Sequence, residues 1–594
     1  VPDDVANIAP IGLAYDEAQK VQPLRPDGLP RDFRVTDAGI EFQVEDDNGN
    51  AEWRWLCTPI RVLALSRGAD GKGWGRLVEI RDPDGRWHRW AMPAEMFAGD
   101  GIDLRRECFR LGLLLSNAKG ANQKFSILLQ NWKPSDRVVT CERLGWTDET
   151  CTAFMLGNGE VIGRDDVVFQ SENLPGIAAE MHPKGTLTDW KDSVSACCAG
   201  NPLMVMSVSL ALSGPFLELL KQDGGGIHLR GESSRGKSTI LKAAASVWGS
   251  PEFVQSWRAT SNGLEGVAVV SNSSLIALDE MSEVDAKEAG RVVYMLSNGT
   301  GKARASRTGT TRPVAHWRVP ILSSGELSLA DKMAEAGQRK RAGQDVRLID
   351  IPADNRAHGA FDSLHGMADG AAFAEQLNMA AAQHYGTAGP EFVARILEDL
   401  ETATNKAQQL IEEFVQMAVA ELAPKPDGQV RRVLARIGLI VAAGEMATAL
   451  QITGWKPGEA TDAGLELVRL WLAERGGTGA QEAKDAIDRT RAFIVKYGDS
   501  RFEDLDREAP DQRRINDRAG WKIGGNYYFA KDAWDELHRG FNPMNAARAV
   551  RDAGFLIREQ KDRLQTKLPS EVEGRPRGYC VSSNILGGDD DECA

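Results

Sequence analysis

Residues 229–249 read LRGESSRGKSTILKAAASVWG, and the first half of that stretch decides the fold. Gly231, Gly236, Lys237 and Ser238 satisfy the spacing G-x-x-x-x-G-K-S. GIHLRG before it alternates weakly and predicts a short strand. KSTILKAAASVW after it puts Ile240, Leu241, Ala244 and Val247 at helical spacing. Strand, glycine loop and helix follow in the order a phosphate cradle needs. The expected cradle is Gly231, Glu232, Ser233, Ser234, Arg235, Gly236, Lys237, Ser238 and Thr239. Backbone N–H groups at the helix start face the phosphates, Lys237 reaches the β/γ oxygens of ATP, and Ser238 offers its hydroxyl to Mg²⁺.

Such a loop needs an acid-bearing strand, and SSLIALDEMSE supplies one. The apolar run Leu275–Leu278 ends in Asp279, expected to hold Mg²⁺, and Glu280, expected to polarise the attacking water. Between them and the loop there is room for one more strand, EFVQSW, and a helix. A third strand, RVPILSSGE, ends in Ser323 and Ser324, either of which could sense the γ-phosphate. A fourth, VRLIDIPAD, carries Arg347 near its start. Together these predict a parallel α/β ATPase core.

Composition sets the surroundings. The chain has 594 residues, enough for three or four domains, and its 42% hydrophobic and 26% charged content is ordinary for globular proteins. Eight cysteines with no C-x-x-C pair, and only eight histidines, argue against structural zinc and fit a reducing cytoplasm. No signal peptide is visible, and the chain begins at Val1, which leaves room for an upstream segment. The longest apolar run, PLMVMSVSLALSGPFLELL, is interrupted by serines and Pro215 and predicts a buried helix, not a membrane span. Net charge is −14, yet no acid occurs from Ala289 to Gly325. That window holds Arg291, Lys302, Arg304, Arg307, Arg312 and Arg318. An acidic chain has kept one segment basic, between the acid-bearing strand and the next.

Along the chain, residues 1–36 read as an extended arm and 37–175 as a β-rich domain. Its WGRLVEIRDPDGRWHRWAM predicts two strands around Asp82-Pro83-Asp84-Gly85. Trp53, Trp55, Trp74, Trp87 and Trp90 could stack on bases, but core packing is the expectation, because aromatic rings dominate cores. The ATPase core spans 185–360 and a helical lid region 361–475. Residues 485–586 read as a winged-helix-like domain and 587–594 as an acidic tail. In the expected wing, Arg563, Lys567, Arg575 and Arg577 suit phosphate contact. Asp562, Glu571 and Glu573 dilute that charge and keep a protein-contact role open.

GESSRGKST, ALDEMSE, GKARASRTG, WRVPILSSGE and AGQDVRLIDIPAD, in this order, resemble the bacterial proteins of domain-of-unknown-function family 927. RTRAFIVKYGDSRF and RAGWKIGGNYYF extend the likeness toward the C-terminus. Members of that family occur on phages, plasmids and integrated elements and look like AAA+ ATPases related to superfamily-three and minichromosome-maintenance helicases. The family's sensor motif is usually STGE; here it reads SSGE, so which hydroxyl acts stays open. The resemblance implies a hairpin ahead of the sensor strand that grips single-stranded DNA, with Lys302, Arg304 and Arg307 as contacts. It also implies a homo-oligomeric ring, a hexamer, with Arg347 as the finger reaching a neighbour's ATP and Arg341 as runner-up. Arg432 or Arg436 of the lid could approach the γ-phosphate. The function implied is an ATP-driven helicase or translocase on single-stranded or forked DNA, with a primase or initiator as possible partner. The alternative is an AAA+ ATPase that remodels protein or nucleoprotein. The candidate pore loop GTGKARASRTG has cations and no aromatic residue, which favours nucleic acid.

Overall fold

The computed structural model describes residues 25–45, 50–170, 176–302, 314–338, 346–424, 426–475, 481–506, 515, 517–539, 543–557, 563–568, 570, 572 and 574–587. Arg304, Arg307 and Arg341, residues 1–24 of the expected arm and residues 588–594 of the expected tail lie outside them. The chain forms two compact units. One is built from residues 1–142 and 164–172, the other from 143–163 and 173–594.

In the first unit, Val167–Phe169, Arg137–Cys141, Ile60–Gly68, Gly75–Arg81 and Trp87–Pro93 form a five-stranded sheet in that spatial order. The last two strands make the expected hairpin, with Arg81 opposite Trp87. Phe33–Thr36, Gly39–Glu45 and Ala51–Cys57 form a three-stranded antiparallel sheet. Helices Ile102–Arg110 and Ala121–Asn131 close the core around Phe33, Phe42, Ile60, Val78, Phe125 and Trp132. Two expectations need correction. Residues 33–36 belong to a sheet and not to an arm, because Phe33 is buried in the core. Of the five tryptophans assigned to packing, Trp90 packs against the core as expected, whereas Trp55, Trp74 and Trp87 are exposed, and Trp132 takes a fully buried position.

Residues 143–163 also part from the expected N-terminal domain. Trp146 is buried in the second unit, where its Nε1 donates to the Pro215 carbonyl at 2.9 Å. Phe154 meets Trp146 edge-on at 5.1 Å and stacks on Trp248 at 5.7 Å. Aromatic burial of this size outweighs chain continuity in deciding which unit owns the segment.

The second unit is organised by a fully parallel sheet. Its order is Gln255–Ser256, Ile276–Asp279, Pro320–Gly325, Gly225–Arg230, Leu348–Pro352. The loop strand (225–230) therefore lies between the sensor strand (320–325) and the last strand (348–352), and the acid strand (276–279) lies beyond the sensor strand. The apolar run folds as helix Pro202–Leu212, with residues 203–212 all buried, and breaks at Ser213 and Gly214. Among the described residues no helix is long and apolar enough to cross a membrane. Five helices follow the sheet: Gly370–Gln383, Ala388–Glu398, Leu400–Glu421, Gly428–Ala449 and Glu459–Arg475.

At the C-terminal end, helices Gln481–Tyr497, Lys531–Leu537 and Pro543–Asp552 pack on a small sheet around Phe529, Trp534 and Tyr579. Thr566–Lys567 pairs with Arg577–Val581, which sets Lys567 opposite Arg577. Arg563, Lys567, Arg575 and Arg577 are exposed, but the connection is not a free-standing hairpin. Leu568 and Val572 are buried against Trp521, and Arg575 Nε donates to the Leu568 carbonyl at 3.1 Å.

His538 in this region is fully buried, its ring 4.5 Å from that of Trp534. Burial, with Arg489 nearby, pushes its pKa down to about 4 from an ordinary 6.5. Below pH 6.5 the unfolded chain takes up a proton that the folded chain refuses. Stability should therefore fall between pH 6.5 and 4, by at most about 1.4 kcal/mol per pH unit from this group. Chemical denaturation followed through tryptophan fluorescence should show His538→Gln less pH-dependent than the parent over that window.

Candidate active site

The site lies where the carboxyl ends of the parallel strands meet the loop 231–236, the position an open α/β sheet reserves for ligands. Helix Lys237–Ala245 starts at Gly236, whose φ of 102° is closed to most side chains. A Cβ there would also sit 2.5 Å from the Phe361 ring. Glu232, Ser233, Ser234, Arg235 and Ser238 are exposed, whereas Gly231, Lys237 and Thr239 are buried. Lys237 folds across the loop, and its Nζ donates to the carbonyls of Gly231 (2.8 Å) and Glu232 (2.6 Å). A positive charge is thus held inside a loop that opens onto a helix N-terminus, an arrangement that suits a polyphosphate.

Across the sheet, Asp279 ends the acid strand and its Oδ1 accepts from the Ser324 hydroxyl and from the Glu280 N–H. Ser323, one residue earlier, bonds His228 Nδ1 (2.9 Å) and Trp257 Nε1 (2.9 Å) and is fully buried. The pleat puts the two hydroxyls on opposite faces, and Ser324 is the one brought to the acid. Glu280 has left-handed backbone (φ 59°, ψ 76°), and its Oε1 accepts from the Ser282 hydroxyl (2.5 Å) and N–H (3.3 Å). Such a conformation costs on the order of 1–3 kcal/mol and persists only where the surroundings enforce it.

Three further side chains bear on the loop and were not anticipated. Asp354 accepts from the Glu232 N–H at 2.8 Å, Phe361 packs on Gly236, and Asn378 Nδ2 donates to Thr239 Oγ1 at 3.3 Å. They arrive on the segment after the last strand, which also returns an N–H from Ala360 to the Arg235 carbonyl at 2.8 Å. The only sequence signal was Pro352 closing that strand near the loop's end of the sheet.

The remaining candidates lie elsewhere. Arg347 is at the amino end of the last strand, 4.6 Å from the Tyr294 ring centroid, with Nε donating to Asn298 Oδ1 at 3.2 Å. Arg436 is at the same end: its Nη1 donates to the Gly224 carbonyl at 2.7 Å, and burial lowers its pKa to about 10. The strand 225–230 separates that end from the loop by roughly 15–20 Å. Arg436 is therefore a structural clamp on the sheet's amino end, which corrects its expected approach to the γ-phosphate. Arg432 is exposed one turn earlier on the same helix. Lys302 stands at the foot of the basic segment, where Thr300 bridges His316 and Nζ reaches Ser261 Oγ (3.1 Å) and Asn262 Oδ1 (3.3 Å).

The sequence profile described as "Domain of unknown function (DUF927)" matches residues 33–316, just under half of the chain. No curated protein matches. The solved structure described as "SCCmec type IV Cch - active helicase" superposes with a TM-score of 0.69 at 17% identity, covering 94% of this chain and 99% of that one. This chain shares its fold. NtrX from Brucella abortus in complex with ATP or ADP aligns at TM-scores of only 0.18 and 0.16, over 59% and 41% of this chain at 12% and 16% identity. These two alignments carry no weight.

The two serines separate in a direct test. Ser324→Ala should keep ATP binding and cut hydrolysis at least tenfold. Ser323→Ala should leave hydrolysis nearly unchanged and lower stability by about 1–3 kcal/mol, since His228 and Trp257 lose a buried partner. Nucleotide titration, turnover and thermal melting of both variants check this.

Proposed function

We propose that the chain is an ATP-driven DNA helicase or translocase that works as a ring, most simply a hexamer, in the cytoplasm. One juxtaposition carries the reading. Loop 231–236, Asp279 and Ser324 converge on one end of the sheet, and the acid-free basic segment is inserted directly before the strand that bears Ser324. The likeness to a helicase structure in fold supports it.

In this reading Lys237 and the loop N–H groups bind the ATP phosphates. Ser238 is exposed at the helix start and Asp279 retains Oδ2, so both fit as holders of Mg²⁺, which would supply charge neutralisation on the phosphates. Glu280 polarises water once its carboxylate leaves Ser282. Ser324, bonded to Asp279, reports the state of the site to its own strand. The foot of the basic segment is stiff: Gly299 lies against the Trp317 carbonyl, Trp317 is buried, and its Nε1 donates to the Leu296 carbonyl at 2.9 Å. Trp317 lies three residues from the sensor strand. Lys302, and Arg304 and Arg307 beyond it, would grip strand phosphates, a sequence-tolerant and salt-sensitive contact.

Arg347 cannot serve its own subunit's ATP from the far end of the sheet, so as a finger it acts on a neighbour's. The helix pair 531–537 and 543–552, followed by the strand pair 566–567 and 577–581, supports a winged helix whose Arg575 and Arg577 contact duplex DNA. The helices after residue 370 would form the lid. A primase or initiator partner would complete a replicative role.

Lys237→Ala should abolish nucleotide binding, whereas Glu280→Gln should bind ATP normally and hydrolyse it at least a hundredfold more slowly; calorimetry and turnover measure both. Replacing Lys302 and Arg304 with alanine should spare basal hydrolysis, abolish its stimulation by single strands and abolish strand displacement. Parent-like unwinding by that double variant would put the grip elsewhere, and absence of strand-stimulated hydrolysis in the parent would favour the remodelling reading. Arg347→Ala mixed with Glu280→Gln should recover part of the hydrolysis that each lacks alone.

A further inference from the structure

The first unit carries an aromatic and basic surface that the ATPase chemistry does not use. Six tryptophans fall between residues 53 and 132, and only Trp132 is buried. Trp55, Trp74 and Trp87 are 36%, 48% and 37% exposed. Leaving such rings in water forgoes the burial they offer a core, and tryptophan is among the side chains most enriched where a partner binds.

On the outer face of the five-stranded sheet, register lines up Arg61, Glu79 and Arg89 in one row across three strands. One row further, Arg81 stands opposite Trp87. The Arg61 guanidinium lies 4.1 Å from the centroid of the Trp87 ring. Glu79 answers both Arg61 (3.8 Å) and Arg89 (3.0 Å), so two arginines share one carboxylate, and with Arg81 in the next row the face keeps positive charge. In the adjoining turn, Asp82 is engaged by His88 Nε2 (2.7 Å) and the Arg86 N–H (2.8 Å), and Asp84 is exposed at the tip. The next row of the same face, Ala64, Leu77 and Ala91, is buried, which confines the surface to this end of the sheet. Residues 25–142 of this unit carry 18 basic and 18 acidic side chains.

We propose that this face is a stacking platform for a single strand of nucleic acid. A base lies on the layer formed by the Trp87 indole and the Arg61 guanidinium, and Arg81 and Arg89 take phosphates. Indole and guanidinium planes accept any base, because every base has a π face. The three-stranded sheet repeats the device, with Arg34 4.5 Å from the Trp53 ring. An acidic peptide would satisfy the arginines but leave the aromatic layer without a role. The platform does not depend on the ATPase translocating.

The test uses the full chain carrying Lys302→Ala, Arg304→Ala and Arg307→Ala, without nucleotide, so that the proposed pore grip is removed from the readout. Anisotropy of a labelled oligothymidine of about 20 nucleotides should show binding that weakens about fivefold or more with Trp87→Leu, the lower end for one base–aromatic stack. Arg61→Gln with Arg89→Gln should weaken it as well and flatten its salt dependence. Ultraviolet crosslinking should place the oligonucleotide on the peptide containing Trp87. Thermal melting of each variant controls for folding, and the arginine pair keeps the test decisive if Trp87→Leu unfolds. Affinities within twofold of the parent in both folded variants, competition by polyglutamate as effective as by unlabelled oligothymidine, or loss of duplex binding alone would each overturn the proposal.

Discussion

The hydrogen bond from Ser324 to Asp279 joins the two strands on which the site depends. It ties the acid strand to the sensor strand at their carboxyl ends, and the sensor strand is the neighbour of the loop strand. Loop, acid and hydroxyl are therefore placed by the register of three adjacent parallel strands and not by any mobile element. A hydroxyl bonded to a carboxylate is also stronger than a neutral pair, so the junction resists loosening from either side.

Because the basic segment is spliced in directly before the sensor strand, the proposed chemistry and the proposed grip would share one strand. Trp317 anchors one side of the segment and Gly299 the other, and both lie against the helix Ala289–Asn298 that follows the acid strand. The amino end of the sheet is held separately. Arg436 closes it by a bond to the Gly224 carbonyl, and a side chain at Gly225 would overlap its guanidinium. The two ends of the sheet thus differ in build: one carries the loop, the acid and the hydroxyl, and the other is closed by a buried arginine.

Local spacing made the loop, its strand and its helix legible in the sequence, since all three are written within about twenty residues. The choice between Ser323 and Ser324 was not legible. It depends on which face each residue takes relative to His228 and Asp279, and register is settled by neighbouring strands. Asp354, Phe361 and Asn378 were missed for the same reason: no motif joins them to a loop more than a hundred residues earlier. Arg436 was misplaced because helical spacing fixes a residue's face on its helix and says nothing about which end of a sheet that helix meets. A composition rule, that large rings go inside, is satisfied in the first unit by Trp132 and in part by Trp90, and fails for Trp55, Trp74 and Trp87, whose exposure no local spacing reveals.

Glu280 holds a backbone conformation that glycine would adopt without strain, so the residue proposed there for chemistry is not the one the fold prefers. Stability and turnover pull this position in opposite directions. Variants gathered only for heat resistance would drift toward glycine at 280 and emerge sturdier but inert. On the proposed role of Glu280, selecting for durable forms of this chain without also selecting for turnover would erode the carboxylate assigned to the attacking water.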